Sequence, residues 1–195
     1  MANITNEGFV IDDDKPHLGG NLNFSDGSSW APEAWDYLIK KYNCKTAIDI
    51  GGGYGFCTEW MEEKGIDCVN HDGLQHNIDN SKAKNNLLHD ITKGPIKHDR
   101  VDLVNCIEVV EHIEEKYMYN LMNSLTLGNV VLITHAEPHH ADRGHHHVNC
   151  KDRQYWINQF RIYGHDFCSE ETDKIKSLRV GWHIKRSGLV FKRRA

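Results

Sequence analysis

The sequence predicts an α/β fold: a doubly wound sheet with helices on both faces. Three features carry that expectation. Residues 45–61, K-T-A-I-D-I-G-G-G-Y-G-F-C-T-E-W-M, run from a short apolar strand (46–50) through a tight glycine turn (51–55) into the start of a helix, expected over 58–64. Segments with strand and helix patterning then alternate to the end of the chain. Residues 130–134, V-V-L-I-T, form an apolar run of the kind found in strands covered on both faces.

Residues 1–29 are polar, rich in glycine and aperiodic, and are expected to form a cap or lid; residues 30–195 are expected to form a single domain. In W-A-P-E-A-W-D-Y-L-I-K-K-Y, Pro32 suits a first helical turn, and Trp35, Leu38, Ile39 and Tyr42 share one apolar stripe. Glu33 early and Lys40 and Lys41 late complement the helix dipole. After the glycine turn, residues 67–71 predict a strand ending at Asp72 and Gly73. Residues 87–89 predict a short strand ending at Asp90 and Ile91, and 102–107 a fourth strand followed by helical E-H-I-E-E-K-Y-M-Y-N-L-M. A His-rich loop spans 135–149, residues 152–163 predict a helix, and 165–169 and 188–192 predict the last two strands.

At 195 residues the chain fits one domain with a full core. No stretch approaches the ~20 apolar residues of a membrane span. The start, M-A-N-I-T-N-E-G, is neither basic nor apolar, so no secretory signal is expected. The six cysteines include no C-x-x-C pair and are expected to be reduced, in a cytoplasmic protein. The formal charge of −5 is unevenly spread, because residues 174–195 carry eight Lys and Arg and no acid. Such an end can meet nucleic acid, but a solvated edge strand guarded by Lys and Arg is the simpler reading.

The glycine corner says which ligand to expect. A strand, a glycine turn and a helix N-terminus let a ligand approach the backbone and its free N–H groups. A dinucleotide G-x-G-x-x-G starting at Gly51 would need its third glycine where Phe56 stands. The pattern present is D-x-G-x-G-x-G: Asp49, Gly51, Gly53 and Gly55. It resembles the first motif of the class I S-adenosylmethionine (SAM) methyltransferases, which implies a Rossmann-like sheet and SAM as cofactor. In such a sheet the ligand lies over the carboxyl ends of the strands. The resemblance then implies the amino-acid end of SAM over Gly51, Gly52, Gly53, Tyr54 and Gly55, with Asp49 reaching it. Asp72, with Gly73, would take the ribose hydroxyls. Asp90 would take the adenine amino group, with Ile91 against the ring. Asn105 and Cys106 would lie beneath the methionine.

Two further stretches carry the resemblance. In C-I-E-V-V-E-H-I-E-E, Glu108, Glu111 and His112 stand at i, i+3 and i+4 and would share one side of a helix. Many small-molecule class I methyltransferases have E-V-x-E-H-I here, with the first Glu near the methyl donor. Small-RNA 2′-O-methyltransferases and some ubiquinone-pathway O-methyltransferases use a similar E-x-x-E-H to hold a divalent metal. The expectation here is that no metal is bound, helix-terminal acids and a hydrogen-bonded His being the alternative reading. The third stretch is T-H-A-E-P-H-H-A-D-R-G-H-H-H-V-N-C, with six His in residues 135–147. Together these motifs resemble a group of uncharacterised bacterial and phage methyltransferases found near sugar and surface-polysaccharide genes. That group reads T-H-A-x-P-G-Q where this chain reads T-H-A-E-P-H-H.

The expected function is methyl transfer from SAM to a small acceptor, hydroxylated or sugar-like. The protein would align the acceptor in line with the methyl, and a neutral His would remove a hydroxyl proton. His147 and His135 are the candidate bases, Glu108 the third, with Asn149 beside His147 in an acceptor loop. A metal-assisted RNA 2′-O-methyltransferase and a non-catalytic SAM- or metal-binding module are the competing readings.

Overall fold

The computed structural model describes residues 2–141 and 144–195; Met1, Asp142 and Arg143, which belong to the expected lid and His-rich loop, lie outside the described residues. Three short strands, β1 (Asn3–Ile4), β2 (Phe9–Ile11) and β3 (Gly19–Leu22), form a separate antiparallel sheet in the expected lid segment. Helix α1 (Pro32–Tyr42) starts on its proline and stops at Asn43, which takes a left-handed φ of 52°. From β4 (Thr46–Ile50) the chain passes through the glycine turn to α2 (Phe56–Glu63), β5 (Asp67–Asp72), α3 (Gln75–Asp79) and β6 (Asn86–Leu88). It returns as β7 (Val101–Cys106), α4 (Met118–Leu125), β8 (Gly128–Ile133) and α5 (Arg153–Ile162), the last capped by Asp152. The remaining elements are β9 (His165–Phe167), α6 (Ser169–Ser177), α7 (Trp182–Ser187) and β10 (Leu189–Arg193).

The large sheet has seven strands in the order β6-β5-β4-β7-β8-β10-β9. The pairings from β6 through β8 are parallel, whereas β10 is antiparallel to both of its neighbours. Alternation along the strands builds a core on each face. On β8, Val131 and Ile133 join Trp156 and Phe160 of α5 and Leu121 and Met122 of α4. Val130 and Leu132 join Trp35 and Leu38 of α1, Met61 of α2 and Ile184 of α7 on the other face. The apolar run at 130–134 is therefore continuous because both of its faces are covered. The chain leaves β4 toward β5 on one side and returns to β7 on the other, so the connections that follow these two paired strands run in opposite directions and open a cleft above their carboxyl ends. Among the described residues no helix is long and apolar enough to cross a membrane.

Two expectations are corrected. The segment after β7 is not one helix: two 3₁₀ turns, Val110–His112 and Glu115–Tyr117, precede α4. Glu108 has a φ of 54°, which a helix excludes, and its N–H bonds Thr134 Oγ1 at 2.7 Å. The basic C-terminal stretch is not an edge strand either. Its residues are spread over α6, α7 and β10, and β10 is flanked by strands on both sides.

Candidate active site

The cleft above the strand ends has a volume of about 990 Å³ and reaches from the glycine turn to the His-rich loop. Its floor is the glycine corner. Gly51 and Gly53 adopt φ of 68° and 56°, where a side chain is strained. A Cβ on Gly51 would fall 2.5 Å from a Val109 methyl, and one on Gly52 would fall 2.4 Å from Asp49 Oδ2 and 2.5 Å from Asn70 Oδ1. The backbone is open to a ligand only because these positions carry no side chain. Tyr54 also lines the cleft, its hydroxyl 2.9 Å from His76 Nε2. Gly55 does not; it turns the chain into α2 and lies against Ser81 and Ala83.

Beneath the turn runs a buried polar chain. Trp35 Nε1 donates to Asn105 Oδ1 (3.0 Å), Asn105 Nδ2 to Asp49 Oδ1 (2.7 Å), and Thr58 Oγ1 to Asp49 Oδ2 (3.1 Å). Burial pushes Asp49 up to about 6, partly offset by the Asn105 and Thr58 donors. Asp49, Asn105, Trp35 and Trp30 all line the cleft, whereas Cys106 is wholly buried in the core on the opposite face. At the end of β5, Asp72 Oδ2 accepts from Gly53 N (2.9 Å), and Oδ1 from Leu74 N (2.9 Å) and Asn77 Nδ2 (3.0 Å). Burial raises its pKa, and those three donors oppose the shift. Gly73 lies under Leu18 of the lid segment, and a Cβ there would meet Leu18 Cδ2 at 2.4 Å. Ile91 lines the cleft. Asp90 does not line it: its carboxylate caps the turn at Thr92 and contacts His17 Nε2 at 3.2 Å. Despite burial, those contacts hold the Asp90 pKa below its usual value.

Two histidine-bearing walls close the other end. Glu108 meets Arg186 Nη2 at 2.8 Å on both carboxylate oxygens and His183 Nδ1 at 2.9 Å, the latter off the ring's N–H axis. Burial opposes ionisation, but His183 and Arg186 carry the Glu108 pKa down to about 2. Glu108 is therefore a fixed anion and a poor base. Near it, Glu111, His112 and His147 bring ligand atoms within 4.8 Å of one another; His112 and His147 line the cleft and Glu111 lies behind them, outside its lining. Glu111 is fully buried, and neither oxygen has an aligned donor, only the off-axis amides of Glu111 and Ala136. Burial and the nearby Glu108 charge raise its pKa well above the usual value. This is a donor set that fits a divalent cation, two imidazoles and one carboxylate. His147 Nδ1 donates to the His140 carbonyl at 2.9 Å, which leaves Nε2 as the lone-pair nitrogen. Asn149 is buried, its backbone N–H donating to the Glu111 carbonyl at 2.9 Å.

His135 is corrected. It is 1% exposed, outside the cleft lining, and its backbone N–H bonds Ser187 Oγ. Sequence reasoning missed His183 and Arg186 altogether. Their link to Glu108 joins residues more than seventy positions apart, which no local spacing signals.

A methyltransferase domain family matches residues 48–126. The ubiquinone biosynthesis O-methyltransferase of Rickettsia bellii (strain OSU 85-389) is 29% identical over 119 residues, 53% of this chain and 50% of that protein. The chain thus spans about half the length of the curated relative it matches. Among solved structures, a SAM-dependent methyltransferase from Clostridium acetobutylicum ATCC 824 superposes with a TM-score of 0.63 at 9% identity, over 88% of this chain and 93% of that one. Magnesium protoporphyrin IX methyltransferase from Synechocystis PCC 6803 with bound SAM gives 0.61 at 13% identity, over 92% and 88%. The methyltransferase domain of bacterial CtHen1-C gives 0.61 at 15%, over 87% and 100%.

Proposed function

We propose a function from one premise, that the chain belongs to the class I SAM-dependent methyltransferases: it transfers the SAM methyl group to a small acceptor, hydroxylated or sugar-like. The observation that carries this reading is the single cleft that joins the glycine corner and Asp72 to the polar walls of Glu108, His183 and His147. SAM supplies a methyl already activated on a sulfonium. The chain's own work is alignment and proton removal. Gly51, Gly52 and Gly53 admit the amino-acid end, and Asp49 and Asn105 lie beside it. Asp72 takes the ribose. Holding the acceptor oxygen in line with the methyl makes the reaction effectively unimolecular. His147 Nε2 would take the hydroxyl proton, a reading supported by the Nδ1–H bond to the His140 carbonyl, which leaves Nε2 as the basic nitrogen. The lid segment 1–29, apart from Met1, contributes Leu18, Gly19, Gly20 and Asn21 to the same cleft and serves to exclude water.

The test is incubation with methyl-tritiated SAM and a fractionated cell extract. Label is expected in the fraction below 1 kDa; label confined to RNA or protein would overturn the small-acceptor reading.

A second reading is favoured by the Glu111, His112 and His147 cluster: a divalent cation held there would support the acceptor oxygen. Transfer without a metal remains first, because Glu108, which the family resemblance would place among the ligands, is committed to Arg186 and His183. Titration with Mn²⁺ and Zn²⁺ separates the two. Micromolar binding lost in Glu111→Gln supports the metal site, and no binding to the wild type removes it.

A further inference from the structure

The lid segment meets the cofactor corner through particular side chains, and one of them touches the supports of Asp72 on both sides. Asn21, on β3, forms a reciprocal amide pair with Asn77: Asn77 Nδ2 donates to Asn21 Oδ1 at 3.0 Å, and Asn21 Nδ2 donates to Asn77 Oδ1 at 3.3 Å. The same Asn77 Nδ2 donates to Asp72 Oδ1 at 3.0 Å. Asn77 is 1% exposed. Asn21 Nδ2 also donates to the Leu22 carbonyl at 3.2 Å, which holds Asn21 in one orientation; a flipped Asn77 amide would then set its oxygen against both Asn21 Oδ1 and Asp72 Oδ1. Asn21 also lies on Gly53: a Cβ there would meet Asn21 Nδ2, Cβ and Cγ at 3.2–3.3 Å. The Gly53 N–H is the donor to the other Asp72 oxygen, at 2.9 Å.

We propose that Asn21 is a positioning residue for the cofactor's ribose, holding the Asp72 carboxylate through Asn77 on one oxygen and through Gly53 on the other. This rests on Asp72 being the ribose acceptor. Asn21 belongs to a sheet that shares no strand pairing with the large one. Docking of the lid and reading of the ribose are therefore one event, and a displaced lid leaves Asn77 free to turn away from Asp72. His17 ties the same segment to Asp90 at 3.2 Å without touching any donor to Asp72, which makes it the natural control.

The experiment is calorimetry with two probes, S-adenosylhomocysteine and its 2′-deoxyribose analogue, on the wild type, Asn21→Ala and His17→Ala. The wild type should prefer the parent ligand by roughly 10–100-fold, the value of one hydrogen bond to a charged group. In Asn21→Ala that preference should shrink to about threefold or less, because Asp72 is no longer aimed. His17→Ala should bind both ligands more weakly by the same factor and keep the preference. A full preference in Asn21→Ala overturns the proposal, whatever the overall affinity, and makes Asn21 a structural clasp. Should alanine unsettle the strand, Asn21→Thr keeps strand propensity while lacking the amide, and the same readout applies. A wild type that does not distinguish the two ligands overturns the ribose assignment and this proposal with it. Failure to bind S-adenosylhomocysteine at all overturns the cofactor site itself.

Discussion

Replacing Asp72 by alanine should weaken S-adenosylhomocysteine binding and destabilise the fold by separable amounts. The carboxylate is 7% exposed and accepts from Gly53 N, Leu74 N and Asn77 Nδ2. Truncation leaves these three donors without their acceptor. Water admitted from the cleft can serve some of them, so we expect a stability loss of about 2–4 kcal/mol. For a chain of this length that corresponds to roughly 4–16 °C in Tm. The ribose contact is a second loss. Two hydroxyl donors to an ionised acceptor are worth on the order of 2–4 kcal/mol, or roughly 30–1000-fold in Kd. Calorimetry and thermal melting on the same preparation measure both. Asp72→Asn, which keeps the shape and one oxygen, should lie between the wild type and alanine in each. A folded Asp72→Ala with unchanged affinity would refute the assignment of the ribose to this residue, and a melting temperature equal to wild type would refute the account of its three donors.

Gly52→Ala should abolish cofactor binding in a protein that still folds, because the added Cβ lands on Asp49 Oδ2 and Asn70 Oδ1; retained affinity would show that the turn has room it is said to lack. Burial first, then His89 and His98, lowers the His71 pKa to about 4 from 6.5. The unfolded chain therefore binds a proton between those values that the folded chain does not, so stability is complete above pH 6.5 and falls as pH drops toward 4, by at most about 3 kcal/mol. His71→Phe should flatten that part of the acid-unfolding curve, and an unchanged curve would contradict it. Asp49, raised by burial to about 6, should lose its proton when the cationic amino-acid end binds beside it. Affinity for SAM should then rise up to about pH 6 and level off, with proton release near pH 6 and none at pH 8. Calorimetry in buffers of different ionisation enthalpy checks this, and identical heats at pH 6 would disprove it.

The strand, glycine turn and Asp72 at one end of the cleft were legible in the sequence because their determinants are local, whereas Gly55, Asp90 and Cys106 stand outside its lining. A glycine needed at a positive φ, a short apolar strand and an acid at the next strand's end all fall within 46–72. The doubly wound sheet followed for the same reason, each strand carrying its own apolar run. The determinants of the other end of the cleft are not local. Glu108, Glu111 and His112 have helical spacing, yet the left-handed φ of Glu108 and its bond to Thr134 prevent a helix. Spacing brought Glu111 and His112 together correctly but gave Glu108 the wrong neighbours. Helix α7 is six residues long, and its inward Arg186 reads in the sequence as one more charge in a basic stretch. The lid strands are two to four residues long, too short to display a period.

The tie from Arg186 and His183 to Glu108 bears on how such a protein can change over evolutionary time. Glu108 lies within the stretch that matches the methyltransferase domain family, whereas both of its partners lie sixty or so residues beyond it. The His-rich loop and residues 2–29 likewise sit outside 48–126, whereas Glu111 and His112, which cluster with His147, lie within it. The matched stretch and the segments around it meet at several side chains: Glu108 with Arg186 and His183, Glu111 and His112 with His147, Asn77 with Asn21, and Asn105 with Trp35. On the proposed function, a substitution of Arg186 or His183 would change the charge and orientation of Glu108 at the acceptor end of the cleft without touching Asp72 or the glycine turn.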